Sequence, residues 1–130
     1  MVYNTKGDYY MNSISCVTTE ICMAVAENPN EAIAIRTENG GKTWETKITL
    51  SDSKMASLMG CKMLSNNEVW ISGGTFDAGL VGWYLHSMDG GETWDQQDLP
   101  KGYSIDLSFA DGNGYSPAGT ELGSNIAVYK

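Results

Sequence analysis

The sequence predicts an all-β protein of the β-propeller type, made of four-stranded antiparallel blades: two complete ones and a split third. Two observations carry this. The stretch Thr37-Glu38-Asn39-Gly40-Gly41-Lys42-Thr43-Trp44 returns as Ser87-Met88-Asp89-Gly90-Gly91-Glu92-Thr93-Trp94, every element displaced by fifty positions. A period of roughly 40–50 residues marks propeller blades or another repeat array. Around each copy lie short apolar or alternating runs whose connections are too short for crossover helices, so neighbouring strands must run antiparallel.

Residues 13–50 form the first blade. Residues 13–17 alternate at period two, a turn at 18–20 leads to the more buried run 21–26, and Glu27-Asn28-Pro29-Asn30 is a break. Residues 32–36 run into the first glycine turn, and 44–50 alternate again. Residues 55–99 repeat the plan, with strands at 57–64, 68–72, 81–86 and 94–99 and a longer loop at 73–79. Residues 104–130 supply three strands of the split blade, and residues 1–12 are read as its outer strand. Joining residues 1–5 to 125–130 would complete it. Three blades are too few to close a ring at ordinary strand twist, so the halves are expected to meet between copies or within a longer parent.

Composition narrows the function classes. The length suits one modest domain, and an apolar share of 42 % is that of a globular chain. Sixteen acidic residues against eight basic ones give a formal charge of −8. Nucleic acid is therefore not an expected partner, because neutralising phosphates takes clustered cations. No run approaches the ~18 apolar residues of a membrane span, so membrane insertion is not expected. The first fifteen residues lack the basic start and apolar core of a signal peptide.

Each residue of the repeated stretch has a physical task. Asn39 or Asp89 can accept hydrogen bonds from backbone N–H groups a few residues on and close a turn. The glycine pairs ending at Gly41 and Gly91 supply positive φ. The hydroxyls of Thr37 or Ser87, and of Thr43 or Thr93, can fasten the turn's ends. Trp44 and Trp94 anchor the strand that follows.

Both stretches resemble the Asp-box, or bacterial neuraminidase repeat, S-x-D-x-G-x-T-W; the first has Thr37 for Ser and Asn39 for Asp. The resemblance implies a propeller with the box between the third and fourth strands of each blade, acting as a structural clasp. Sialidases that carry the box hold their substrate carboxylate with three arginines, whereas this chain has only Arg36. Asp89 is accordingly read as a clasp and not as a catalytic acid. Among non-enzymes the repeats are similar to the photosystem II assembly factors of the Ycf48 type, which implies a scaffold that binds protein.

Other candidate chemistry is sparse. No His or second Cys stands at metal-ligand spacing around the three cysteines, so no metal and no cofactor is expected. His86, the one histidine, has no nucleophile motif near it and is read as structural. Asp111-Gly112-Asn113-Gly114 lacks the later ligands of a calcium loop and is read as a hairpin turn. Cys16 and Cys22 sit on two strands joined by a short turn and are read either as a disulfide or as two buried thiols. The Asp-box resemblance implies the bridge, which would place the chain in an extracellular or other oxidising compartment. Cys61 has no local partner and is read as a core thiol.

In antiparallel blades the glycine turns share one end with the one-to-two turns, and the variable loops collect at the other. The longest of those loops carries Phe76 and Asp77 and leads towards Trp83. An aromatic side chain beside a carboxylate suits a protein partner or a stacked sugar. The chain is thus read as a non-catalytic scaffold that binds a protein partner, or other copies of itself, through the face opposite the glycine turns. The rival reading is a glycan-binding or glycoside-hydrolase-like module whose catalytic groups lie in other blades or copies.

Overall fold

The computed structural model describes residues 6–51, 56–75, 81–100, 102–119 and 126–129, which form strands and turns with no helix among them. The first sheet holds β1 (Tyr10–Cys16), β2 (Cys22–Glu27), β3 (Glu31–Thr37) and β4 (Glu45–Ser51), each paired antiparallel with its neighbour in sequence. The second repeats this order with β5 (Ser57–Met63), β6 (Val69–Thr75), β7 (Val81–Ser87) and β8 (Asp95–Asp98). In the third, β9 (Tyr103–Ser104) and β10 (Ser108–Ala110) both pair with β11 (Asn113–Gly119), which also pairs with β12 (Ile126–Tyr129).

Strand alternation decides which junction each side chain serves. Val69 and Ile71 of β6, with Trp83 and Leu85 of β7, pack against Met23, Val25, Ala32 and Ala34 of the first sheet. Their sequence neighbours Trp70 and Tyr84 point the other way, into a smaller cluster with Leu99, Leu107 and Phe109. The second sheet is therefore apolar on both faces. This explains why its middle strands read as apolar runs and not as clean alternation.

Side chains also tie the first strands together. The Ser13 and Ser15 hydroxyls accept hydrogen bonds from the Cys61 and Met63 N–H groups at 3.3 and 3.0 Å. The Asn12 amide donates to the Leu58 carbonyl at 2.9 Å. These bonds occupy backbone groups along β5, the edge strand of its sheet, that no neighbouring strand takes up.

Four local readings change. Tyr10, Met11 and Asn12 belong to β1 and not to an outer strand, because a register shift between Met11 and Ser13 lets β1 continue while breaking its alternation. Gly73, Gly74 and Thr75 close β6 and are not loop; a Cβ at Gly73 would come within 2.7 Å of the Trp83 ring, so the glycine is a packing choice. The first strand of the third sheet is interrupted between β9 and β10, where the Ser104 and Ser116 hydroxyls donate to the Asp106 carbonyl at 3.0 and 2.7 Å. Trp94 precedes β8, which starts at Asp95. Residues 1–5, 120–125 and 130, expected in the split blade, lie outside the described residues.

Candidate functional site

The glycine turns hold the ends of the sheets in place and so frame the candidate site. In the second turn, the Ser87 hydroxyl accepts from the Gly91 N–H at 2.8 Å and donates to Asp89 Oδ1 at 2.8 Å. The same carboxylate accepts from the Glu92 and Thr93 N–H groups at 3.0 and 2.9 Å and from the Thr93 hydroxyl at 2.5 Å. The Thr93 hydroxyl, then the Thr93 N–H and the Ser87 hydroxyl, hold the Asp89 carboxyl well below the usual carboxylate range. Such a group stays an acceptor and is a poor general acid. In the first turn, Thr37 Oγ1 accepts from the Gly41 N–H at 2.9 Å, and Asn39 Oδ1 accepts from the Thr43 N–H at 2.9 Å. Here the amide reverses one bond: Asn39 Nδ2 donates to Thr43 Oγ1 at 2.7 Å.

The second turn is also seated on the first sheet. Arg36, buried at the end of β3, donates from Nη1 to the Asn66 carbonyl at 2.7 Å and to the Gly90 carbonyl at 3.4 Å. Its Nε and Nη2 both reach Glu38 Oε1 at 3.0 Å. Gly91, at φ 99°, leaves little room for a side chain, since a Cβ would come 3.0 Å from Met23 and 3.1 Å from Lys47. Lys47 pairs with Glu92, and Trp94 packs against the core between the two sheets while its Nε1 donates to the Gly91 carbonyl at 2.9 Å. The sole arginine is thus a clamp between sheets.

Between the second and third sheets the corresponding place is open. A groove of about 580 Å³ is walled by Trp70, Tyr84, Gln97 and Leu99 on one side and Phe109 and Tyr115 on the other. Trp70 stacks on His86 with ring centroids 3.9 Å apart and lies 5.8 Å from Phe109. Trp70 Nε1 donates to Glu68 Oε1 at 3.2 Å. His86 Nε2 stands 3.4 Å from the same oxygen, an ion pair only when the imidazole is protonated, and makes no hydrogen bond among the described residues. The Tyr84 hydroxyl is likewise buried without a hydrogen-bond partner among them. Carboxylates of Glu68 and Asp98 give the groove an acidic rim.

The groove reaches the end where the glycine turns lie, whereas binding was expected at the opposite, loop-bearing face. Glu68 and Leu64 flank the turn between β5 and β6, and that turn is bonded to the second glycine turn through the Gly90 N–H and the Asn67 carbonyl at 2.8 Å. Trp83, expected beside the binding loop, is 4 % exposed and belongs to the core facing the first sheet. Its neighbour Tyr84 takes the outward face, because adjacent strand residues point to opposite sides. Phe76 and Asp77 lie outside the described residues. Cys16 and Cys22 are register partners on β1 and β2, and their sulfurs form a disulfide. Burial pushes the Cys61 thiol up to about 12. Among the described residues no three His, Cys, Asp or Glu side chains gather as a metal site requires. Sequence reasoning missed the groove: the fifty-residue offset puts His86 where Arg36 stands, but only the strand register puts Trp70 in the place of Met23.

No family model matches the chain, and no curated protein matches it by sequence. Solved structures do match. One, described as YCF48 bound to D1 peptide, superposes over 93 % of this chain with a TM-score of 0.64 and 21 % identity. The chain spans 39 % of that protein's length. A protein of unknown function from Bacteroides caccae matches over 98 % of this chain and 63 % of its own, at a TM-score of 0.41 and 10 % identity. The likeness to YCF48 shows a β-propeller fold.

Proposed function

We propose that the chain is a non-catalytic β-propeller segment that acts as a protein-binding or assembly module, with the groove between the second and third sheets as its docking place. The observation that carries this is the groove itself. It combines aromatic and aliphatic walls, an acidic rim and a buried Tyr84 hydroxyl with no hydrogen-bond partner among the described residues, which is the mixture a polypeptide satisfies with side chains and backbone together. The repeated turns are read as Asp-boxes whose acids act as clasps. The description of the YCF48 structure, a propeller-type protein holding a peptide, supports the same class of partner. The disulfide of Cys16 and Cys22 supports an oxidising compartment.

A glycan-binding module is the second reading, favoured by one observation: Trp70 lies beside the Glu68 carboxylate, a pairing that also suits a stacked sugar. Immobilised full-length chain, probed in parallel with peptide and glycan arrays and assayed for glycosidase activity, separates the two. Saturable binding of peptides alone, with no turnover, is the expected result. Binding confined to glycans, or any glycosidase turnover, overturns the protein-binding reading.

A further inference from the structure

We propose that the hairpin tip at residues 111–114 is a site of spontaneous deamidation at Asn113, and that the first glycine turn shields the chain's other Asn-Gly pair, Asn39-Gly40, from the same reaction. The modification goes beyond a docking role, because it changes the covalent chain beside the groove.

Asparagine followed by glycine is the pair most open to this chemistry, because a residue without a side chain leaves the path to its backbone nitrogen clear. At Asn113 the Gly114 nitrogen gives its proton to solvent hydroxide and attacks the side-chain carbon Cγ. The new C–N bond forms, the Cγ–Nδ2 bond breaks, and ammonia leaves with a proton taken from water. Water then opens the five-membered imide at either carbonyl, giving aspartate or isoaspartate. Water is the only co-reactant, and nothing is oxidised or reduced. Two conditions govern the rate: the side-chain amide must be free to swing back, and the next N–H must be released.

The two pairs meet these conditions differently. At Asn39 both ends of the amide are held. Oδ1 accepts from the Thr43 N–H at 2.9 Å and from the Thr37 hydroxyl at 3.1 Å, and Nδ2 donates to Thr43 Oγ1 at 2.7 Å. The attacking nitrogen is held as well, since the Gly40 N–H donates to the Glu20 carbonyl at 3.0 Å. The turn must open before Gly40 can reach Cγ, so the rate scales with the small open fraction. Asn113 is exposed, and among the described residues its amide makes one hydrogen bond, from Nδ2 to the Asp111 carbonyl at 3.1 Å. That bond stays within the tip, and a Cβ placed on the neighbouring Gly112 would meet nothing within 4 Å. The product matters to the groove. Isoaspartate carries its former side-chain carbon in the main chain, directly before Gly114, which lies so close to the Phe109 ring that a Cβ would come within 2.8 Å. Lengthening the chain there displaces a groove wall, and the new carboxylate adds to the acidic rim.

The test incubates the full-length protein at mildly alkaline pH, folded in one series and unfolded in guanidinium in the other. Peptide mapping by mass spectrometry follows the amide-to-acid mass change at each site, and fragment ions distinguish isoaspartate from aspartate. Unfolding removes the structure and keeps the sequence, so each site is its own reference. In the unfolded chain Asn39 and Asn113 are expected to react at comparable rates. In the folded chain Asn113 is expected to stay within several-fold of its unfolded rate and to accumulate isoaspartate, while Asn39 slows by about tenfold or more. Thr43→Val, an exposed change that removes the acceptor of Asn39 Nδ2, is expected to speed the folded Asn39 reaction and leave Asn113 unchanged. Folding that slows Asn113 as strongly as Asn39 overturns the hairpin site. An Asn39 rate that folding leaves unchanged, or that Thr43→Val leaves at its slow folded value, overturns the shield.

Discussion

The two glycine turns are closed by the same hydrogen-bond plan and live in different surroundings. In each, one hydroxyl and one Asn or Asp side chain gather the N–H groups of the next few residues. The first holds to its own sheet, with the Gly40 N–H donating to the Glu20 carbonyl at 3.0 Å. The second has the equivalent bond to Asn67 and is also seated on the first sheet by Arg36, Met23 and Lys47. Closure is thus a local property of eight residues, whereas seating depends on what another sheet presents. Among the described residues the first turn is bonded to its own sheet, and the second is bonded to its own sheet and to the one before it.

The largest test of this difference is Trp94→Ala beside Trp44→Ala. Trp94 packs at the core between two sheets and Trp44 against the cluster on the outer face of the first, so Trp94→Ala is expected to cost ~2–4 kcal/mol and to exceed its counterpart. Equal losses in chemical denaturation would remove the distinction. Arg36→Met keeps the apolar stem and deletes the clamp. It should cost about 1.5–3 kcal/mol, because a charged donor to the Asn66 and Gly90 carbonyls is lost. A loss below ~0.5 kcal/mol, within the range of ordinary surface changes, would mean that the clamp does not seat the turn.

Gly41→Ala and Gly91→Ala refine the comparison. Both glycines have positive φ, 81° and 99°, which by itself costs an alanine about 1–2 kcal/mol. At Gly41 the added Cβ meets only Trp44, at 3.6 Å, while at Gly91 it presses on Met23 and Lys47. Gly91→Ala is therefore expected to lower the thermal midpoint further, and the reverse order would contradict the seat.

The smallest effect is on acid stability. The folded carboxyl of Asp89 is depressed below its unfolded value of about 3.9, so its contribution is present above that value and is lost as pH falls towards the lower, folded one. Asn39 has no such dependence. Asp89→Asn should therefore flatten the stability profile below about pH 4, the unfolded value setting the top of that window. Denaturation midpoints measured from pH 5 downward check this, and an unchanged acid slope would show that the carboxylate's charge is immaterial to the turn.

Much of the molecule was legible because much of it is local. Turn chemistry lies in contiguous residues, and the offset between the two turns set the repeat before any contact was known. Where local signals were interrupted, the reading slipped. The register shift at Asn12 hid the start of β1, and paired glycines at the end of β6 looked like a loop, because nothing in the sequence shows the Trp83 ring lying over Gly73. Trp83 was placed on a surface it does not reach, since period two says that neighbours oppose one another without saying what each face meets.

That division follows from the range of the forces. The sequence by itself determined the all-β class, the antiparallel order within the first two sheets and the residues that close each turn, because these depend on backbone sterics and hydrogen bonds between near neighbours. Only the tertiary structure decided that Arg36 clamps the next sheet, that Trp83 is core while Tyr84 faces the third sheet, and that a groove runs between the second and third sheets. Those outcomes depend on how whole sheets pack, and packing is settled by the shapes of side chains that lie tens of residues apart.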